Sequence, residues 1–298
     1  MPVIDPGARQ RLTARFGREV EPWFDALPGV LTALAERWGL ELGPPIPRGS
    51  VSAVYPCRMA DGRRAVLKAS PDRERLAFEA AGLDAWPTPH TPAVIALDRR
   101  LGALLIEEIE PGTPLVVSGV HPGEQRVAEL MSALHGSGVT DPSFPTVERR
   151  ADYLFDASEK LYERRPELTA LVPPELYERG RRLAARLARD GAPAVLLHGD
   201  LTPSNILEGA ARGLVAIDPA PCLGDAAFDA VDLVFWQADD VAAIEARVER
   251  LAAAAGVDAE RLIAWCVAFA AMCAMDRVSP RTGPEPGMDA LLELATRA

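Results

Sequence analysis

The sequence predicts an α+β protein of two lobes, a β-rich N-terminal lobe over residues 1–109 and a mostly helical C-terminal lobe over 110–298. Three observations predict this. Residues 50–59 (SVSAVYPCRM) and 63–70 (RRAVLKAS) alternate apolar and polar positions around the turn Ala60-Asp61-Gly62. Two further strand-like runs, 93–100 and 102–109, follow an intervening segment of helical periodicity. After Pro111-Gly112 the spacing becomes helical almost throughout.

Taken in order, residues 7–39 carry apolar side chains at helical spacing (Leu12, Phe16, Trp23, Phe24, Leu27, Leu31, Leu34, Trp38). Pro22 and Pro28 predict breaks there, giving one or two helices that lead into the fold. Pro44, Pro45 and Pro47 mark the exit, and the hairpin follows. Helical spacing over 72–86 ends in the run Pro87, Pro89, Pro92. This order fits a small five-stranded antiparallel sheet crossed by a single helix. In the second lobe, helices are expected at 122–136, 147–164, 173–190, 240–256, 258–276 and 286–297. Only 194–218 interrupts them, with strand-like AVLLHG, NIL and LVAIDP.

A chain of 298 residues can bury two cores. Its net charge of −11 and pI of 5.0 argue against nucleic acid or an anionic membrane as partner. They suit a cationic small substrate, although solubility alone also explains them. Cys57, Cys222, Cys266 and Cys273 form no CxxC pair, as expected of reduced buried thiols. The N-terminus lacks the apolar core of a signal peptide, and the longest apolar run, Leu262 to Met275, is fourteen residues, too short to span a bilayer. These features predict a cytoplasmic protein.

The segment with the most chemistry is HGDLTPSNIL, residues 198–207, followed by IDPAPCLGD, residues 217–225. Asp200 lies in a loop just past an apolar strand, Asn205 is five residues on, and Asp218 ends the next strand. A hairpin returns Asp218 to Asn205. One carboxylate, Asp200, is then free to accept a proton, while the amide of Asn205 and the carboxylate of Asp218 supply hard oxygen ligands for a divalent cation. That is the layout of phosphoryl transfer, and the spacing D-x-x-x-x-N matches the protein-kinase catalytic loop with His-Gly-Asp for His-Arg-Asp. His198 reads as a residue that fixes the loop by hydrogen bonding, and His135 as a packing residue at a helix end. His198, Asp200 and Asp218 also admit a metal-dependent hydrolase, although no second His-rich motif supports it.

HGDLTPSNIL with AIDPAPCLGDAAFD resembles the aminoglycoside phosphotransferase branch of the protein-kinase-like fold, and within it the streptomycin 6-kinase and hydroxyurea kinase group. The likeness covers most of residues 45–275. It implies ATP and Mg2+ as cofactors and a small cationic, hydroxylated acceptor such as streptomycin, or alternatively hydroxyurea, an amino sugar or another metabolite. A nucleotide-binding pseudokinase is disfavoured because the whole set of site residues is present. AVLK, residues 65–68, resembles the strand that carries the phosphate-binding lysine, which makes Lys68 a ligand of the α- and β-phosphates. Its partner is then Glu79 on the following helix, with Glu74 as competitor. Backbone groups from Glu107 to Ile109 would hold adenine. RGSVSAVY, residues 48–55, would cover the phosphates through the N–H groups of Ser50 and Ser52 or the Ser52 hydroxyl, although only Gly49 of the usual glycines is present. Many streptomycin kinases resemble IDPKP where this chain has Ala220. Asp229 and Asp232 are the residues expected to meet a cationic acceptor, and Asp225 after Gly224 reads as a helix cap.

Overall fold

The computed structural model describes residues 4–47 and 51–298. The chain divides into two compact units, Met1–Asp84 with Thr91–Gly112, and Ala85–His90 with Thr113–Ala298. The first unit therefore ends at Gly112 rather than at 109. Residues 85–90, expected in the N-terminal lobe, pack with the second unit, where Val139 N donates to Ala85 O and Ala216 N donates to His90 O.

In the first unit, α1 (Pro6–Phe16) starts at Asp5, whose side chain accepts from Ala8 N at 2.9 Å. A single 3₁₀ turn, Gly17–Val20, leads into α2 (Glu21–Trp38). Pro22 sits in the first turn of α2, where its missing N–H costs nothing. Pro28 lies inside α2 and does not break it, contrary to the sequence expectation. Leu27, Leu31 and Leu34 of α2 are fully buried, and at roughly 1.5–3 kcal/mol each they outweigh an interior proline at about 3 kcal/mol.

The strands β1 (Leu40–Leu42), β2 (Ala53–Met59), β3 (Arg64–Ala69), β4 (Val94–Asp98) and β5 (Ala103–Glu107) form one antiparallel sheet in the order β1-β2-β3-β5-β4. Period-two alternation gives the sheet two apolar faces. On one, Tyr55, Ala65, Leu67, Ala69 and Leu105 pack against α2. On the other, Leu104 and Ile106 pack against Leu76, Ala80 and Leu83 of α3 (Arg73–Asp84). The sheet thus carries a helix on each face rather than the single one expected. Lys68, one residue beyond Leu67, falls on the α3 side.

The second unit is mainly helical: α4 (Leu115–Ser118), α5 (Glu124–Ser137), α6 (Val147–Arg164), α7 (Leu168–Leu171), α8 (Pro174–Arg189), α9 (Val231–Phe235), α10 (Val241–Ala255), α11 (Ala259–Asp276) and α12 (Met288–Ala295). The long helices match the sequence reading to within a few residues. The apolar run over 262–275 is the buried centre of the unit in α11. There Gly180 of α8 lets the two helices cross closely, since a Cβ at that position would lie 2.3 Å from Ala268 O. Two short antiparallel pairs interrupt the helices, β6 (Val195–Leu197) with the distant β9 (Cys222–Gly224), and the hairpin of β7 (Ile206–Glu208) with β8 (Leu214–Ala216). A third pair, also a hairpin, joins β10 (Val278–Ser279) to β11 (Gly283–Pro284). All four cysteines are free thiols. Among the described residues no helix is long and apolar enough to cross a membrane.

Candidate active site

In the first unit, the Lys68 ammonium pairs with Glu79 Oε1, the two side chains of β3 and α3 facing one another beneath the sheet. Lys68 is 2% exposed and Glu79 4%, so each charge depends on the other for its burial. Glu74 faces solvent, which leaves Glu79 as the partner. Ser52 is almost fully buried ahead of β2, so its hydroxyl is closed to a solvent-borne phosphate in this conformation. Ser50 lies outside the described residues. Glu107 N already donates to Ala93 O at 2.9 Å, and Glu107 Oε2 accepts from Ala93 N at 3.2 Å. That N–H is therefore spent on the sheet edge, while Ile109 is buried just beyond it.

In the second unit, β6 delivers His198, Gly199 and Asp200 in succession. Gly199 has φ +73°, and a Cβ there would lie 2.1 Å from Ala220 O. Glycine at the middle of His-Gly-Asp is thus a steric requirement. His198 is fully buried and neutral-favouring: burial, first of all, lowers its pKa. Its Nε2 contacts Ile217 O at 3.0 Å, and its Nδ1 accepts from Asp200 N at 3.3 Å. Both ring nitrogens are used to fix the loop, so His198 offers none to a metal, and the hydrolase reading loses a ligand.

Asn205 Nδ2 donates to both Asp200 O and Asp200 Oδ2 at 2.9 Å. The β7–β8 hairpin brings the segment after β8 back alongside, with Ile217 N donating to Asn205 O at 2.8 Å. Asp218 follows at once, at φ +59° immediately before Pro219. A residue preceding proline is normally extended, so this positive φ is held by the surrounding hairpin. An amide oxygen and a carboxylate, here on neighbouring backbone segments, are donor types that a hard divalent cation takes.

The structure corrects one of the two expected acceptor residues, Asp229. Asp229 is 3% exposed, and its two oxygens accept from His198 N and Gly199 N at 2.8 Å and meet His135 Nε2 at 2.9 Å. It braces the loop from below and presents nothing to a ligand. Burial opposes its ionisation, but the His135 hydrogen bond and the loop N–H groups hold its pKa below the usual carboxylate value. His135, read from sequence as packing, is therefore a partner of this brace. Asp225 caps the turn at Ala226–Ala230 by accepting from Ala227 N, and it also binds Trp265 Nε1 and Arg261 Nε, each at 2.7 Å. Asp240 caps α10 through Ala243 N.

Asp232 is different, because it is exposed to solvent. Protein surrounds it on its other sides, and that burial, followed by the Asp200 and Asp276 carboxylates, pushes its pKa up to about 7. Solvent access makes the group available to a ligand, and screening by the same solvent softens the upward shift without reversing it. Asp276, at the end of α11, is likewise exposed and raised by burial. Sequence reasoning missed it, and it missed Arg150 too. In the first turn of α6, Arg150 Nε donates to Gly199 O at 2.6 Å and Nη2 meets Asp200 Oδ1 at 3.0 Å. Neither residue belongs to a local motif, so no spacing could have marked them.

This architecture is that of the protein-kinase-like phosphotransferases. A choline kinase from Streptococcus pneumoniae superposes with TM-score 0.62 at 15% identity, over 91% of this chain and 100% of the other. A macrolide 2'-phosphotransferase from Brachybacterium faecium gives 0.53 at 19% identity, over 92% and 99%. At such identities the likeness speaks for the fold. The sequence is more specific: residues 37–278 match the profile of the aminoglycoside/hydroxyurea antibiotic resistance kinases, and the chain belongs to that family. Hydroxyurea phosphotransferase of Kitasatospora aureofaciens is 31% identical over 261 residues, 84% of this chain and 72% of the relative. Streptomycin 6-kinase of Streptomyces glaucescens is 28% identical over 268 residues, 84% of this chain and 82% of the relative. The protein is thus a kinase that transfers phosphoryl groups to a hydroxyl acceptor.

Proposed function

We propose that the protein phosphorylates a hydroxyl of a cationic aminoglycoside such as streptomycin, using ATP and Mg2+. The observation that carries this reading is the solvent-accessible carboxylate of Asp232, whose charged neighbours include both Asp200 and the likewise exposed Asp276. Streptomycin carries two guanidinium groups, which pair well with carboxylates. Hydroxyurea, favoured by one relative, is neutral and gains nothing from them.

Lys68, held by Glu79, places the α- and β-phosphates. Backbone groups of the Glu107–Ile109 segment other than the Glu107 N–H meet the adenine, and the N–H groups of residues 50 and 52 serve the phosphates. Asn205, its Nδ2 turned to Asp200, offers Oδ1 together with the Asp218 carboxylate to Mg2+, which when bound neutralises charge on the β- and γ-phosphates. Asp200 orients the acceptor hydroxyl and takes its proton as the oxygen bonds to the γ-phosphorus. The bond from that phosphorus to the bridging oxygen breaks, and ADP leaves. The transfer is nearly dissociative, so positioning contributes more than basicity.

Replacing Asp200 by Asn lowers turnover by roughly a hundredfold or more while the Kd for ATP is retained. Asn205→Ala and Asp218→Ala weaken ATP binding only when magnesium is present. Isothermal titration with and without magnesium, beside coupled assays on streptomycin, an amino sugar and hydroxyurea, reads all of this. Near-normal turnover in D200N removes Asp200 from the mechanism, and turnover of hydroxyurea alone replaces the acceptor.

A further inference from the structure

Asp200 is held on both oxygens, by Arg150 Nη2 on Oδ1 and Asn205 Nδ2 on Oδ2. Arg150 reaches it from α6, fifty residues earlier, with its side chain largely buried and its guanidinium 5.6 Å from the Tyr153 ring centroid. Arg150 ties the loop through Gly199 O, but it is not the loop's sole brace. Asp229 already binds the loop at two N–H groups, and Ala220 N donates to His198 O at 2.9 Å. What Arg150 adds is a fixed positive charge within a group of carboxylates, since Asp200, Asp276 and Asp229 all neighbour Asp232. A guanidinium or ammonium entering that group unopposed would pair with whichever carboxylate it met, Asp200 included. Paired there, it would displace the hydroxyl from the proton acceptor, and the bound acceptor would be unreactive.

The geometry points to Arg150 as a positioning residue that reserves the Asp200 carboxylate for the acceptor hydroxyl, leaving the acceptor's cationic groups to Asp232 and Asp276. This rests on the cationic-acceptor reading above. It is a statement about specificity, because the fixed guanidinium repels a second cation from Asp200 but leaves a neutral hydroxyl free to approach.

The test is steady-state kinetics of Arg150→Met and Arg150→Lys with streptomycin and with hydroxyurea, beside thermal melts of each variant. For streptomycin, R150M loses kcat by roughly ten- to a hundredfold while its KM stays level or falls, because cations now bind unproductively. Because non-productive binding lowers kcat and KM together, kcat/KM changes less than kcat, and any hydroxyurea turnover falls less. R150K recovers part of kcat, since lysine restores the charge but cannot reach Gly199 O and Asp200 together in a planar fork. A rise in KM with equal losses for both acceptors, in variants that melt early, makes Arg150 a strut and overturns the inference. Unchanged kcat in R150M overturns it too. In both cases the wild type still phosphorylates streptomycin, so the functional reading stands. A wild type that phosphorylates no cationic acceptor sinks that reading, and this inference with it.

Discussion

A carboxylate open to water yet hemmed in by protein and by like charges keeps its proton longer than a surface carboxylate, and Asp232 is such a group. Its folded pKa of about 7 lies above the unfolded value of 3.8, so the folded state holds the extra proton between them. Stability therefore falls as pH rises through that window, while the negative charge a cation needs appears only towards its upper end. The KM for streptomycin should fall as pH rises through about 7, and Asp232→Asn should raise KM severalfold and flatten the profile. A pH series of initial rates on both proteins measures this, and a profile unchanged by D232N removes Asp232 from the acceptor site. Asp229 behaves oppositely because its oxygens are consumed by the loop. Two aspartates three apart on one short helical stretch look alike in sequence. What separates them is which side the catalytic loop packs on, a long-range fact that no local pattern carries.

At the level of elements, local signals carry most of the pattern. Alternation in β2 and β3, the D-x-x-x-x-N loop and the β7–β8 hairpin all involve neighbours close in sequence, and the structure contains them. The Lys68–Glu79 pairing is legible only through the family resemblance, which leaves Glu74 as a competitor until the fold turns Glu74 to solvent. Three-residue β9 is not legible, since so short a strand is defined by its partner β6 rather than by its own pattern. Nor is the tie between α5 and the catalytic loop, made by His135 on Asp229. Removing it by His135→Ala leaves a buried carboxylate short of one donor, at a cost of about 1–3 kcal/mol. Urea denaturation should show that loss in the midpoint, with turnover falling as the loop loosens. A midpoint within experimental error of the wild type would mean that the two loop N–H groups alone satisfy Asp229.

For the molecule as a whole, the net charge of −11 sets a field that long-range association feels. A dicationic acceptor is drawn toward such a surface, and dissolved salt weakens the attraction. The kcat/KM for streptomycin should fall steadily between about 0.01 and 1 M ionic strength, whereas that for hydroxyurea should not. Stopped assays across a potassium chloride series decide it, and parallel curves for the two acceptors would dismiss the field as a factor.

The family likeness begins at residue 37, inside the last turn of α2. It would be natural to cut the protein there to obtain a minimal enzyme, yet physically that is the wrong place. The helix discarded is the one whose Leu27, Leu31 and Leu34 cover Tyr55, Leu67 and Leu105 on one face of the sheet. A chain begun at residue 37 would present that apolar face to water and to its own copies, and would aggregate. Where shared ancestry is detectable and where a fold can be divided are separate boundaries, and in this protein they differ by two helices.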